Sequence, residues 1–148
     1  QKKYNVVIID FPDPSNYSLG KLYSVNFYQS LSKILEPNAV VVIQTTSPYF
    51  APKSFWCINK TVKTSFSNTD AYHVYVPSFG EWGFTITSNN PSYDFNIVNR
   101  KVKNLRFYNY KYNTLNQFTS DMKASNVEVN RLDNQILVRY FDEEWGKL

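Results

Sequence analysis

Asp10 and Asp13 stand three residues apart in the run Asp10-Phe11-Pro12-Asp13-Pro14. Two prolines exclude helix there and stiffen the segment into a loop. A pair of carboxylates so placed can hold a cationic amine, and one of them can take a proton from it. Like charges held close, with partial burial, raise the pKa of one member, which suits a general base. A structural reading competes: Asp10 capping a turn, and Asp13 opening an Asx-turn before Pro14. The spacing alone leaves both open. Gln44, Thr45 and Thr46 form a second polar group, at the end of an apolar run. Other catalytic parts are sparse. His73, the only histidine, lies in an alternating run where a structural role is expected. Cys57, the only cysteine, sits between Trp56 and Ile58 in a helical pattern and reads as an inert core thiol. The sequence holds no G-x-S-x-G, no H-E-x-x-H, no P-loop and no Gly-rich dinucleotide turn. The aromatic corner Pro77 to Phe84, with Phe79 and Trp82, either walls a pocket or fills a core.

These residues need elements to place them. Tyr4 to Ile9 is a short apolar run with β-branched residues, the pattern of a strand buried on both faces. After the acidic loop, Phe27, Tyr28, Leu31, Ile34 and Leu35 share one helical face, with Ser24 as N-cap and Pro37-Asn38 as the stop. Ala39 to Thr45 repeats the buried-strand pattern. Phe55, Ile58, Val62 and Phe66 mark the buried face of a second helix. Ala71 to Val76 and Gly83 to Thr87 read as strands paired antiparallel across a short link. A short helix is expected over Leu115 to Met122, and Val127 to Tyr140 reads as loop plus a strand-like LVRYF run. The sum is the right-hand half of a doubly wound α/β sheet ending in an antiparallel pair. In such sheets ligands bind outside the carboxyl ends of the parallel strands. That edge is where Asp10, Asp13, Gln44, Thr45 and Thr46 fall.

With 148 residues the chain has the length of one domain. The single cysteine excludes an intrachain disulfide and a cysteine-based zinc site, and no apolar run is long enough to span a bilayer. The formal charge of +4 raises the question of nucleic acid. The one basic cluster is Arg100, Lys101, Lys103 and Arg106, beside Phe107, Tyr108, Tyr110 and Tyr112. It reads better as the solvent face of a half-buried strand than as a single-strand platform, so no nucleic-acid partner is expected.

IIDFPDP, then KLYSVNFYQSLSKIL, then VVVIQTTSPYF resembles the spermidine synthase (polyamine aminopropyltransferase) family. That family carries a D-x-x-D-P loop after one strand, a helix with an aromatic pair, and a strand ending in Gln. FWCI, YHVYVPSFGEWGF and LDNQILVRYFDEEW look like a bacterial branch in which membrane-spanning helices precede the catalytic domain of some members. The resemblance implies a Rossmann-like, methyltransferase-type fold. It also implies aminopropyl transfer from decarboxylated S-adenosylmethionine to an amine such as putrescine, without metal or bound cofactor. By position, Asp10 resembles the catalytic aspartate, and Asp13 the second acidic residue, on the substrate. Gln44 matches the pocket-lining glutamine. Tyr17, Ser18 and Leu19 occupy the stretch that packs near the adenine. Phe79 falls roughly where soluble members place an acceptor-contacting tyrosine, and Trp82 stands beside it on the acceptor side.

The family's nucleotide site uses a Gly-rich loop and acidic residues on three earlier strands, none of them in this sequence. Residues 1–148 are therefore expected to form a single partial domain, the C-terminal half of a larger catalytic one, inactive alone. Its first strand is expected to expose an edge through which chains self-associate, and the expected location is the cytoplasm. Two alternatives stay open: a non-catalytic relative that binds polyamine or serves a structural role, and a methyltransferase acting on an amine.

Overall fold

In the computed structural model, which describes residues 2–95, 104, 106 and 116–146, four strands form one mixed sheet in the order β1-β2-β4-β3. β1 (Tyr4–Ile9) lies parallel to β2 (Leu35–Gln44), with Val7 opposite Val41 and Ile9 opposite Ile43. Between them run a four-residue helix α1 (Tyr17–Gly20), a 3-10 turn (Lys21–Tyr23) and α2 (Val25–Lys33). Ser24 caps α2, its hydroxyl accepting from the Phe27 N–H at 3.4 Å. The helix stops at Lys33 rather than at Pro37, and Pro37 falls inside β2. The register slips there, Tyr4 pairing with Leu35 but Val6 with Val40. A bulge is where a strand tolerates a residue that has no N–H for the ladder.

α3 (Pro52–Lys63) follows with a proline in its first turn, where the missing N–H costs nothing. β3 (Asn68–Val76) then takes the far edge of the sheet, and β4 (Gly80–Ser88) returns between it and β2, antiparallel to both. The β3–β4 link is tight: Phe79 N–H donates to the Val76 carbonyl at 2.9 Å. Gly80 then takes φ +72°, a left-handed residue after a turn as three-residue hairpins require.

β1 departs from the expected burial on both faces. Ile9 enters the core, but Val6 and Ile8 are 65% and 77% exposed, because the described helices cover only the face carrying Val7 and Ile9. Among the described residues β1 lies at one edge of the sheet, as expected. That covered face shares a core with Tyr28 and Leu31 of α2, Ile58 and Val62 of α3, and Leu137.

Two C-terminal expectations are corrected. Residues 116–119 are not helical, and only a 3-10 turn forms at Ser120–Met122. The strand-like LVRYF run is part of a helix, α4 (Ile136–Trp145). Ile136, Leu137 and Tyr140 recur at helical spacing, and the first two are buried while Arg139 is not. A short apolar run does not by itself distinguish strand from helix, and packing decided. The basic run Arg100 to Tyr112, Asn104 and Arg106 apart, lies outside the described residues. Among the described residues no helix is long and apolar enough to cross a membrane.

Asn130, fully buried, joins these parts. Its Nδ2 donates to the carbonyls of Gly20 at 2.9 Å and Tyr23 at 3.1 Å, and its Oδ1 accepts from Leu137 N–H at 3.3 Å. Its own N–H donates to Thr61 Oγ1 at 2.9 Å, and its carbonyl accepts from Val25 N–H at 3.1 Å. Asn130→Ala would strand two buried carbonyls and one N–H. The expected loss is about 2–4 kcal/mol of unfolding free energy, to be read from a urea titration. An unchanged midpoint would contradict this role.

Candidate active site

The carboxyl ends of β1 and β2 lie side by side because the strands are parallel and in register to Ile9 and Ile43. Residues just beyond each strand therefore meet. The acidic loop after β1 is held by Tyr23, whose buried hydroxyl lies 3.2 Å from the Phe11 carbonyl and 3.0 Å from that of Pro12 and donates to them. Burial first, then the nearby Asp13 and Asp10 carboxylates, push the Tyr23 phenol well above its usual range. Both aspartates thus sit around one neutral hydroxyl.

The two carboxylates differ in setting. Asp10 is exposed, and its carboxylate takes no hydrogen bond from any described residue. Asp13 is half-buried, and desolvation raises its pKa, while a hydrogen bond from the Gln44 amide partly opposes the rise. Burial thus supplies the shift, not repulsion between the pair. The Asx-turn also fails to form: Ser15 N–H donates to the backbone carbonyl of Asp13 at 2.7 Å, leaving the carboxylate for Gln44.

Four side-chain oxygens at this edge are buried without a hydrogen-bond partner among the described residues: Asp13 Oδ1, Gln44 Oε1, Thr45 Oγ1 and Thr46 Oγ1. Buried polar atoms are nearly always satisfied, so a cluster of exceptions marks a place for a ligand or water. Asp13 as a carboxylate and Gln44 Oε1 can only accept. The group that satisfies them must donate.

Thr46 also has φ +63°, an outlier for a β-branched residue and a form of strain that collects at functional sites. Its backbone is clamped by β4: Gly83 N–H donates to the Thr46 carbonyl at 2.8 Å, and Thr45 N–H to the Gly83 carbonyl at 3.0 Å. A side chain at 83 would meet Phe55 and lie 2.7 Å from the Thr46 carbonyl, so only glycine lets β4 pass so close.

A cavity of about 540 Å³ opens from Asp13. Phe79 and Trp82 of the hairpin wall it, together with Phe50 and Trp145. Asp13, Phe79 and Trp82 are thus brought together in one cavity, and Gln44 reaches Asp13. Asp10 and the Tyr17-Ser18-Leu19 stretch do not line this cavity. That stretch folds as α1 under an Asn16 cap whose side chain accepts from Leu19 N–H at 3.0 Å, with Tyr17 62% exposed. Phe50 and Trp145 were not foreseen. Phe50 lies between prolines just past the polar end of β2, a placement that signals an edge loop. Trp145 was hidden by the strand reading of the segment before it. His73 bonds Glu81 at 2.7 Å and the Gln117 carbonyl at 2.9 Å, tying the hairpin to the following loop. Cys57 is buried, and desolvation pushes its thiol up to about 12.

A family model described as "Spermine/spermidine synthase domain" matches residues 1–101. The chain belongs to this family. It is 46% identical over 146 residues to a polyamine aminopropyltransferase of Leptospira interrogans, covering 98% of this chain and 29% of that protein. It is 49% identical over 145 residues to polyamine aminopropyltransferase 2 of Ralstonia nicotianae, covering 96% of this chain and 28% of that one. The chain therefore spans less than a third of the length of these relatives. Among solved structures, the spermidine synthase from Thermotoga maritima superposes with a TM-score of 0.64 at 20% identity, over 99% of this chain and 45% of that one. A spermidine synthase in complex with the transition state analogue AdoDATO gives 0.63 at 19% identity, over 100% of this chain and 44% of that one. The α/β fold is thus the Rossmann-like, methyltransferase-type fold of spermidine synthases.

The Asp13 setting gives a signed pH dependence. Its pKa is raised on folding, so the folded state binds more protons than the unfolded one above the ordinary value of 3.8. This group's contribution is fully present below that value and is lost as pH rises through the folded pKa. Asp13→Asn should abolish that component. Unfolding titrations across acidic pH should show the variant gaining on the wild type as pH rises, and parallel profiles would contradict the assignment.

Proposed function

We propose that this protein catalyses aminopropyl transfer from decarboxylated S-adenosylmethionine to an amine such as putrescine, with this chain supplying the acceptor side of the site. The observation that carries the reading is the buried pair Asp13 Oδ1 and Gln44 Oε1, both acceptors, both without a partner among the described residues. An amine brings the donors they lack. Membership of the family and the names of the relatives support the same chemistry.

In the proposed reaction the neutral amine nitrogen attacks the propyl carbon bound to the sulfonium. A C–N bond forms, the C–S bond breaks, and its electron pair stays on sulfur, which leaves as a neutral thioether. The new ammonium then gives a proton to a carboxylate. A sulfonium is already a good leaving group, so the protein's task is to desolvate, orient and deprotonate the amine. Asp10 takes the role of proton acceptor in this reading. Asp13 and Gln44 hold the amine, Phe79 and Trp82 cover the acceptor's carbon chain, and Tyr17, Ser18 and Leu19 lie toward the adenine. The reaction so written calls for no metal or resident cofactor.

The test is turnover by the full-length protein with both substrates. Asp10→Asn should lower kcat by about 10²–10⁴-fold, the usual contribution of a general base. Asp13→Asn should act mainly on the KM for the amine. A reversed pattern would transfer the base role to Asp13, whose raised pKa suits it. Binding of both substrates without polyamine product would sink the enzyme reading, and methyl transfer from S-adenosylmethionine would replace it with the methyltransferase one.

A further inference from the structure

The cavity lined by Asp13 is also lined by Trp145, on the last turn of α4. Four of its lining side chains are aromatic: Phe79 and Trp82 stand 5.1 Å apart between ring centres, and Phe50 and Trp145 5.9 Å apart. Among the described residues that line it, Asp13 is the one that carries a charge. The two acids that precede Trp145 are committed elsewhere. Glu143 pairs with Lys53 at 3.1 Å. Glu144 accepts from Lys53 N–H at 2.7 Å, Ser54 N–H at 3.0 Å and the Ser54 hydroxyl at 2.7 Å. It thereby caps α3, whose own N-cap residue, Ala51, offers no side-chain bond. A carboxylate is favoured at a helix N-terminus by the exposed N–H groups and the dipole.

This cap fixes more than α3. Glu144 and Trp145 are adjacent, so anchoring the one carboxylate sets where the indole can lie, between Phe50 and Phe141 at 5.9 Å from each. The indole N–H is buried without a partner among the described residues, although a buried tryptophan usually finds one. Trp145 is therefore held by its neighbours beside the cavity rather than by a bond of its own.

We propose that Trp145 is a specificity-determining residue for the acceptor, receiving the distal ammonium of an α,ω-diamine on its ring, and that Glu144 is the positioning residue that fixes it there. A diamine is charged at both ends, and among the described lining residues Asp13 offers a carboxylate for one of them. The second charge finds ring faces, to which ammonium groups are attracted electrostatically. Glu144, its oxygens occupied by α3, acts through Trp145 and not on the ligand. The inference rests on the proposed amine-acceptor reading, and its test separates the two.

Calorimetric titration of the full-length protein with putrescine reads the pocket without chemistry. Trp145→Ala should weaken binding about tenfold, and Trp145→Leu, which keeps an apolar side chain there, about as much, whereas Trp145→Phe should retain most of the affinity. Glu144→Ala should weaken binding by a similar factor and add nothing when Trp145 is already alanine, the non-additivity expected of residues acting in series. In turnover the loss should fall on KM, with kcat within about twofold. Putrescine affinity unchanged in Trp145→Leu, additive losses in the double variant, or no putrescine binding by the wild type would overturn the inference. A wild type that binds putrescine through Trp145 but transfers no aminopropyl group would overturn the proposed reaction and leave the inference standing.

Discussion

The side chain of Asn130 is the interaction on which the rest of the structure depends. It is one small amide with every hydrogen-bonding group engaged, joining α4 to the segment before α2, while the residue's own backbone N–H reaches α3, all in a buried setting. In a low dielectric such bonds are strong when complete and costly when broken. The geometry of the acidic loop is inherited from it. Asn130 fixes the Tyr23 carbonyl, and the Tyr23 hydroxyl fixes the carbonyls of Phe11 and Pro12 between the two aspartates. A series of hydrogen bonds thereby links the C-terminal third of the chain to the first strand's end.

The site built on that frame is polar where the frame is satisfied. Four oxygens lack partners among the described residues, and Thr46 keeps a left-handed backbone that costs of order 1–3 kcal/mol. The backbone strain is held by β4, where the Gly83 N–H and carbonyl bond the Thr46 carbonyl and the Thr45 N–H. The same arrangement explains why a formal charge of +4 says little about ligand preference. Among the described residues lining the cavity, the charge comes from Asp13, half desolvated.

Asp10, Asp13 and Gln44 were legible in the sequence because their placement follows from strand ends, and strand ends are marked locally by prolines and by the change from apolar to polar residues. Phe79 and Trp82 were legible as a hairpin corner, though whether they walled a pocket or filled a core was open. Trp145 was not legible. LVRYF is compatible with either period, and helix formation there depends on Leu137 meeting Asn130 and on Glu144 reaching α3, contacts of high sequence separation. Pro37 misled for a related reason: a proline excludes helix, but only the pairing with β1 shows that the strand absorbs it in a bulge.

The sequence by itself determined the βαβ order, the acidic loop, the glutamine at the end of β2 and the family, because each is written in residues close along the chain. Only the tertiary structure decided which aspartate is desolvated, that β4 inserts beside Thr46, and that Trp145 of the last helix lines the cavity. Those outcomes depend on burial and on partners far apart in sequence, and local pattern carries no information about either.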